Sequence, residues 1–100
     1  METAFAADGF SAMGSESRLA VLQILVRAGN KGLSVGEIQQ RTSIPASTLA
    51  HHLKFLAAAN LVVQEKQGRT IFNRANFTHL EALAAFILEE CCVEEELNND

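Results

Sequence analysis

Ser47, His51 and Lys54 are the residues of this 100-residue chain whose types and spacing point most directly to chemistry. At about 100° per residue, these three side chains share one side of a helix. Their hydrogen-bonding and positively charged groups suit the base edges and phosphates of a DNA major groove. The opposite side is apolar, with leucines spaced by four and three residues at Leu49, Leu53 and Leu56. The pattern predicts an amphipathic helix over residues 45–61 that packs through its leucines and turns its polar side to DNA.

The ends of this helix and the segment before it predict how it is positioned. Pro45 suits a first helical turn, where a missing N–H costs nothing, and Asn60 suits the end, because asparagine tolerates the left-handed conformation. Upstream, Ser34 and Glu37 form an S-x-x-E capping box, which predicts a shorter helix joined to the first by a brief turn. Two helices around a short turn predict a helix-turn-helix over about residues 34–60.

Residues 62–74 change from helical to alternating periodicity. Two strands, over residues 62–66 and 70–74, are predicted around the turn residues Gln67 and Gly68, which gives a small wing over about residues 62–74. Three basic residues fall on it: Lys66, Arg69 and Arg74. A basic hairpin beside a reading helix can follow the phosphate backbone or enter a minor groove. The alternative is a surface hairpin with ordinary solvated charges.

Helices flank this central part on both sides. An apolar helix is predicted over residues 2–13 and a heavily buried one from Ser15 to about Arg27, with its core at Leu19, Leu22, Ile24, Leu25 and Val26. A last helix over about residues 76–96 carries Leu80, Leu83, Ala84, Ile87 and Cys91 on one face, and residues 98–100 are expected to fray. A chain this small gains buried area by pairing. We therefore expect one domain over residues 1–100, mainly α with a small β-hairpin, that forms a homodimer through its terminal helices.

The charge of the chain is unevenly distributed. The formal net charge is −4, but residues 31–76 carry six basic and two acidic side chains, whereas residues 77–100 carry seven acidic and no basic ones. Residues 31–76 are therefore compatible with DNA binding, and the acidic residues 77–100 must face away from the DNA. The alternative is that the uneven charge distribution marks only a solvent-exposed face. No apolar run is long enough for a membrane span, and the start lacks the basic region of a secretory signal, so a cytoplasmic location is expected.

Three runs of the sequence, SRLAVLQIL, LSVGEIQQRTSIPASTLAHHLKFLAAANLV and EKQGRTIFNRAN, resemble the ArsR/SmtB family of bacterial winged-helix repressors. The segment STLAHHLK, residues 47–54, is the most specific part. The resemblance implies a homodimer on a roughly palindromic operator, with reading helices about 34–36 Å apart, and repression relieved by a small inducer, often a metal or metalloid. Ser47, Thr48 and His51 match groove-facing positions of the family, while Ala50 replaces a frequent serine.

The metal sites of known family members are not reproduced here. Where one type of member has a Cys-x-Cys pair, this chain has Ser34 and Gly36. Where another type has an Asp-x-His pair on the last helix, it has Phe77 and His79. The Cys-x-Cys metal site is therefore absent and a zinc site of the Asp-x-His kind is not expected, and no resident cofactor is required.

Cys91 and Cys92 remain as the candidate inducer site. Adjacent residues on a helix point about 100° apart, so the two cannot both fill one core position. Two neighbouring thiolates suit a soft ion, and some arsenic-responsive members of the resembled family carry vicinal cysteines near the C-terminus. The expected inducer is trivalent arsenic, especially a monomethylated arsenical that takes two thiolates, or another thiophilic ion. Acidic neighbours should raise the thiol pKa. Oxidant or persulfide sensing, and cysteines that serve only for packing, stay open as alternatives.

The leading hypothesis is thus a DNA-binding transcriptional repressor. One rival is a winged-helix module that binds another protein and never DNA. A second rival, a thiol enzyme using Cys91, lacks a histidine nearby in sequence and a glycine-rich phosphate loop. We therefore expect the protein not to be an enzyme.

Overall fold

The computed structural model describes the backbone of residues 1–97 and the side chains of residues 1–95; the predicted fraying of residues 98–100 lies outside this part. The elements follow in the order α1 (Thr3–Met13), α2 (Glu16–Ala28), β1 (Leu33–Ser34), α3 (Val35–Thr42), α4 (Ala46–Ala58), β2 (Val62–Gln67), β3 (Thr70–Ala75), α5 (Phe77–Leu88) and α6 (Val93–Leu97). A mainly α winged helix-turn-helix is confirmed. Within residues 1–97, no helix combines the length and apolarity that crossing a membrane requires.

The helix-turn-helix forms where local signals predicted it. The Ser34 hydroxyl accepts the backbone N–H of Glu37 at 3.2 Å, and the Glu37 carboxylate accepts the Ser34 N–H at 2.9 Å, so the capping box begins α3 as predicted. Hydrogen bonding of the Glu37 carboxylate, first by the Ser34 backbone N–H and then by the Ser34 side chain, holds the pKa of Glu37 below its usual value. Pro45 occupies the N-cap of α4 rather than its first turn. At the other end, Asn60 adopts the predicted left-handed conformation, with φ 63°.

The sheet has three strands in the order β1-β3-β2, not the two of the predicted hairpin. The predicted pair is antiparallel from Val62 opposite Ala75 to Gln67 opposite Thr70. The added strand, β1, pairs with β3 through Leu33 opposite Asn73. Gly32 permits this pairing, because it has φ +72° and a Cβ there would lie 2.6 Å from the backbone oxygen of Asn73.

The core lies between the helices and the inner face of the sheet. Leu49, Leu53 and Leu56 are all fully buried, which confirms the apolar side predicted for α4. The prediction for α2 was partly wrong. Its buried residues are Val21, Leu22 and Leu25, whereas Ile24 is half-buried and Leu19 and Val26 are exposed. The helix contacts the core along one stripe, so an unbroken apolar run cannot be buried on every side.

Two asparagines connect elements that are distant in sequence. Asn73 is a fully buried polar side chain; its Nδ2 donates to the Leu33 oxygen at 3.2 Å and its Oδ1 accepts from Gln64 Nε2 at 2.9 Å. Asn76 caps α5 by accepting the His79 N–H, and its Nδ2 donates to the Asn60 oxygen at 2.9 Å. Its backbone N–H donates to the oxygen of Leu61, also at 2.9 Å. These bonds tie the wing to β1 and the start of α5 to the end of α4.

The prediction of one continuous last helix to about residue 96 was wrong. α5 ends at Leu88, and α6 begins at Val93 after an irregular segment in which Cys92 has φ 62°. Cys91 therefore does not share the apolar face of α5; it is exposed beyond its end. A repulsive Glu90–Glu94 pair at i, i+4 and the low helix propensity of two consecutive cysteines give a physical reason for the break.

Candidate nucleic-acid interface

The polar side of α4 is open to solvent. Ser47, Thr48, His51 and Lys54 are all exposed, while the three leucines of the opposite side hold the helix against the core. Three of these four side chains, those of Ser47, Thr48 and His51, lie in the first two turns of α4. Hydroxyl, imidazole and ammonium groups thus lie on one exposed helical surface, as predicted. This surface can donate and accept hydrogen bonds without disturbing the fold.

The wing brings two of its three predicted basic residues to its outer end. Lys66 is the fifth residue of β2, Arg69 lies in the turn beside Gly68, and both are exposed. Arg74 lies at the base of the hairpin, opposite Val63. There its guanidinium donates to the Glu65 carboxylate at 2.8 Å, in an ion pair whose side chains are 34% and 52% exposed. The predicted cluster is therefore divided: among the side chains of residues 1–95, Lys66 and Arg69 at the tip form no ion pair, whereas the charge of Arg74 at the base is partly neutralised.

We call the exposed side chains of α4 and the wing tip the reading surface; its members are Ser47, Thr48, His51, Lys54, Lys66 and Arg69. The acidic side chains of the last segment belong to α5 and the residues after it, and those described at positions 81, 89, 90, 94 and 95 are exposed. The chain therefore keeps its basic reading surface and most of its negative charge on different elements, an arrangement typical of proteins that bind a polyanion in spite of a negative net charge.

The two cysteines form a separate feature between α5 and α6. Both are free and exposed, and their Sγ atoms lie 3.2 Å apart. The hydrogen bond with Cys91, then one with Glu95, raises the pKa of the Cys92 thiol. The predicted direction of the shift is confirmed for Cys92, although the neighbouring thiol contributes more than the acidic residue. Within the described residues, no group of three or more His, Cys, Asp or Glu side chains could hold a metal ion. One protomer thus offers two sulfur donors.

Asn73 was not among the predicted functional residues, although it holds the wing against β1. Side chains of a strand alternate between its two faces, so Asn73 shares a face with Ile71 and Ala75. A polar residue on this otherwise apolar face was the sequence feature that could have identified it. His79, the histidine compared with a zinc ligand, packs edge-on against Phe5, with ring centroids 5.3 Å apart. Its position ties α5 to α1.

Comparison with known proteins shows which proteins this chain is similar to. A family model described as a helix-turn-helix domain matches residues 13–65. The transcriptional activator HlyU of Vibrio cholerae is 32% identical over 81 residues, which are 81% of this chain and 72% of HlyU. The helix-turn-helix-type transcriptional regulator YceK of Bacillus subtilis is 39% identical over 61 residues. That match spans 61% of this chain and only 60% of YceK.

Solved structures agree with this fold. An ArsR-like transcriptional regulator from Rhodococcus sp. RHA1 superposes with a TM-score of 0.76 at 30% identity, over 95% of this chain and 86% of that one. HlyU of V. cholerae superposes with a TM-score of 0.71 at 33% identity, over 92% of this chain and 99% of HlyU. The names of these relatives describe regulators of transcription. The chain therefore belongs to the helix-turn-helix transcriptional regulators of the ArsR type.

Proposed function

We propose that this protein is a homodimeric repressor that binds a roughly palindromic operator through its reading surface. The observation that carries the proposal is the exposure of Ser47, Thr48, His51 and Lys54 on one helical surface beside the cations of the wing tip. In this proposal α4 enters the major groove, where its polar side chains meet base edges, and Lys66 and Arg69 meet the phosphate backbone. Such a regulator acts where the chromosome is, so the cytoplasmic location expected from the sequence is part of the proposal.

The second copy is proposed from the apolar surface at the end of α5. Ile87 and Leu88 are 63% and 64% exposed, and Phe5 on the neighbouring α1 is 46% exposed. Exposed large side chains of this kind on the terminal helices are typical of an interface. Two-fold pairing through them would present two reading surfaces to one duplex, as half-sites one helical turn apart require. The relative HlyU is named an activator, so repression is proposed from the resemblance of the sequence to the ArsR/SmtB repressors and not from HlyU.

The inducer is proposed to be a trivalent arsenical, in particular a monomethylated one, or another thiophilic ion at Cys91 and Cys92. Two Sγ atoms 3.2 Å apart on an exposed turn are close enough for one arsenic atom to contact both. With methylarsenous acid, two As–S bonds form, two As–O bonds break and two water molecules leave, and no oxidation state changes. Inorganic arsenite prefers a third sulfur, which only a second protomer could supply, because this chain has two cysteines.

The coupling follows from the position of the cysteines at the end of α5. An inducer there would change how two copies of α5 pack, and thereby the separation of the two reading surfaces. A coupling free energy of about 1–3 kcal/mol suffices for a change of about 5–150-fold in operator affinity.

The DNA proposal is tested by measuring binding to a palindromic duplex across a series of salt concentrations. Lys54→Ala and Arg69→Ala should each weaken binding and reduce the slope of log K against log salt by about 1, because each removes a phosphate contact. Arg27→Ala, which removes an equal charge from the exposed end of α2, is the matched control and should leave the slope unchanged. Equal behaviour of all three variants, or no binding by the wild type at low salt, would favour the rival role in binding another protein.

The inducer proposal is tested by operator release with arsenite, methylarsenite, antimonite, zinc, cadmium and a persulfide. Release by methylarsenite that disappears in the Cys91→Ser, Cys92→Ser double variant is the expected result. Release by the persulfide alone would assign the pair to oxidative sensing. Release by methylarsenite that persists in the double variant would remove the cysteines from the mechanism.

A further inference from the structure

A cavity lies where the end of α2 meets α3, away from both the reading surface and the cysteines. Its volume is about 470 Å³, and it is lined by Ile24, Arg27, Ala28, Lys31, Leu33 and Arg41. It opens to solvent on one side, and none of its residues belongs to the reading surface. Pockets of this size commonly hold small organic molecules.

Three cations and no acidic side chain line this cavity, in a chain with twelve acidic residues against eight basic ones. Arg27, Lys31 and Arg41 are exposed, and within residues 1–95 none of them forms an ion pair. Arg41 uses one nitrogen to donate to the backbone oxygen of Glu37 at 2.9 Å, which leaves its other N–H groups free for a ligand. The nearby Glu37 carboxylate accepts the Ser34 N–H and also interacts with the charges of Arg41 and Lys31, which offsets part of the positive field but leaves three cations against one carboxylate. The local field therefore favours an anion.

The floor of the cavity is apolar. Leu33 is buried and Ile24 and Ala28 are half-buried, whereas the three cations are exposed. A surface that served only to follow a phosphate backbone would need neither the concavity nor this floor, because the backbone is a convex and strongly hydrated polyanion. An apolar floor ringed by guanidinium and ammonium groups matches a molecule with a carboxylate head and a hydrocarbon body.

We propose that this cavity is a binding site for a small amphipathic carboxylate. The head would be held by Arg27, Lys31 and Arg41, and the hydrocarbon body would cover Ile24, Ala28 and Leu33. Such a ligand would contact both α2 and α3, which are joined by a turn, where Gly29 and Gly32 have φ +80° and +72°, and by β1. It would thereby hold the helix-turn-helix in one position relative to α2. An effect of this ligand on operator affinity rests on the proposed function, whereas binding of the ligand to the cavity does not.

Calorimetric titration with octanoate tests the site directly, because the chain has no Trp or Tyr to report binding by fluorescence. Octanoate should bind one site per protomer, at least about tenfold more tightly than acetate, which lacks the body, and than octanol, which lacks the charge. The Arg27→Gln, Lys31→Gln double variant should bind octanoate about tenfold more weakly, since each exposed ion pair contributes up to about fivefold. Arg69→Gln, on the wing tip, is the matched control and should bind octanoate like the wild type.

Three outcomes would overturn the proposal. Equal affinity of wild type and double variant would place octanoate elsewhere. Equal affinity for octanoate and octanol would reduce the site to a nonspecific apolar patch. A salt slope for operator binding that falls by about 1 or more in the double variant would assign the cations to the DNA contact instead. If octanoate binds as expected and no duplex is bound, the cavity proposal stands while the proposed DNA function fails.

Discussion

Removing the exposed side chains at the end of α5 should separate the proposed dimer without unfolding the protomer. Burying a whole Leu or Ile side chain contributes about 1.5–3 kcal/mol. Ile87 and Leu88 have 63% and 64% of their surface still exposed, so covering that surface contributes about 1–2 kcal/mol per side chain. Four such side chains meet in a symmetric pair, and alanine keeps part of the contact. The Ile87→Ala, Leu88→Ala variant should therefore lose about 3–6 kcal/mol of association free energy.

This loss corresponds to an increase in the dimer dissociation constant of roughly a hundredfold to ten-thousandfold. Sedimentation equilibrium should show the wild type at twice the 10.8 kDa chain mass and the variant as a monomer at the same micromolar concentration. Far-ultraviolet circular dichroism should stay unchanged, because the two side chains contribute little to the core of one protomer.

The matched control is Val26→Ala with Ile71→Ala, on α2 and the wing, where the side chains are 43% and 47% exposed. This control should remain dimeric. A variant at positions 87 and 88 that stays dimeric, or a control that dissociates equally, would refute the assignment of the interface to the end of α5.

Three further predictions concern the elements that position the reading surface. Gly32→Ala should lower the free energy of unfolding by more than about 1 kcal/mol in urea titration, because its Cβ would lie 2.6 Å from the Asn73 oxygen at φ +72°; an unchanged midpoint would contradict the close β1–β3 approach. Asn73→Ala should cost about 1–3 kcal/mol, because it leaves the Leu33 oxygen and the Gln64 amide without their partner; retained stability would show that water replaces both bonds. The lowered pKa of Glu37 means that its carboxylate stabilises the fold above the ordinary glutamate value of 4.5, and that this contribution disappears as pH falls through the folded pKa. Wild type should therefore lose more stability than Glu37→Gln in thermal melts between pH 7 and pH 3, and parallel losses would contradict the capping-box assignment.

Local signals in the sequence were sufficient for most of the helix-turn-helix and for the reading surface. The Ser34–Glu37 box, the leucine spacing of α4 and the stop at Asn60 each act within a few residues, so they can be read without the rest of the fold. The positions of Ser47, His51 and Lys54 follow from the same helical period.

The features that escaped prediction depend on contacts between distant segments. β1 is two residues long and exists because Gly32 allows it to approach β3, about forty positions later in the chain. The exposure of Leu19 and Val26 depends on which side of α2 meets the core, and a run that is apolar on all sides does not specify it. The end of α5 was missed because the apolar period continues through Cys91, whereas the backbone turns at Cys92.

The hydrogen bonds of Asn76 determine how inducer binding at the end of α5 would affect the proposed DNA binding by α4. Its amide and backbone groups make four hydrogen bonds: they donate to the oxygens of Asn60 and Leu61 and accept from the N–H groups of His79 and Leu80. Tilting α5 relative to the end of α4 would break the two bonds to Asn60 and Leu61 together, so the two helices should rotate as one rigid unit. A change in dimer packing would then alter the distance and angle between intact recognition helices and leave the shape of each unchanged. Operators with altered half-site spacing, rather than altered bases, should be the duplexes that the induced form still tolerates.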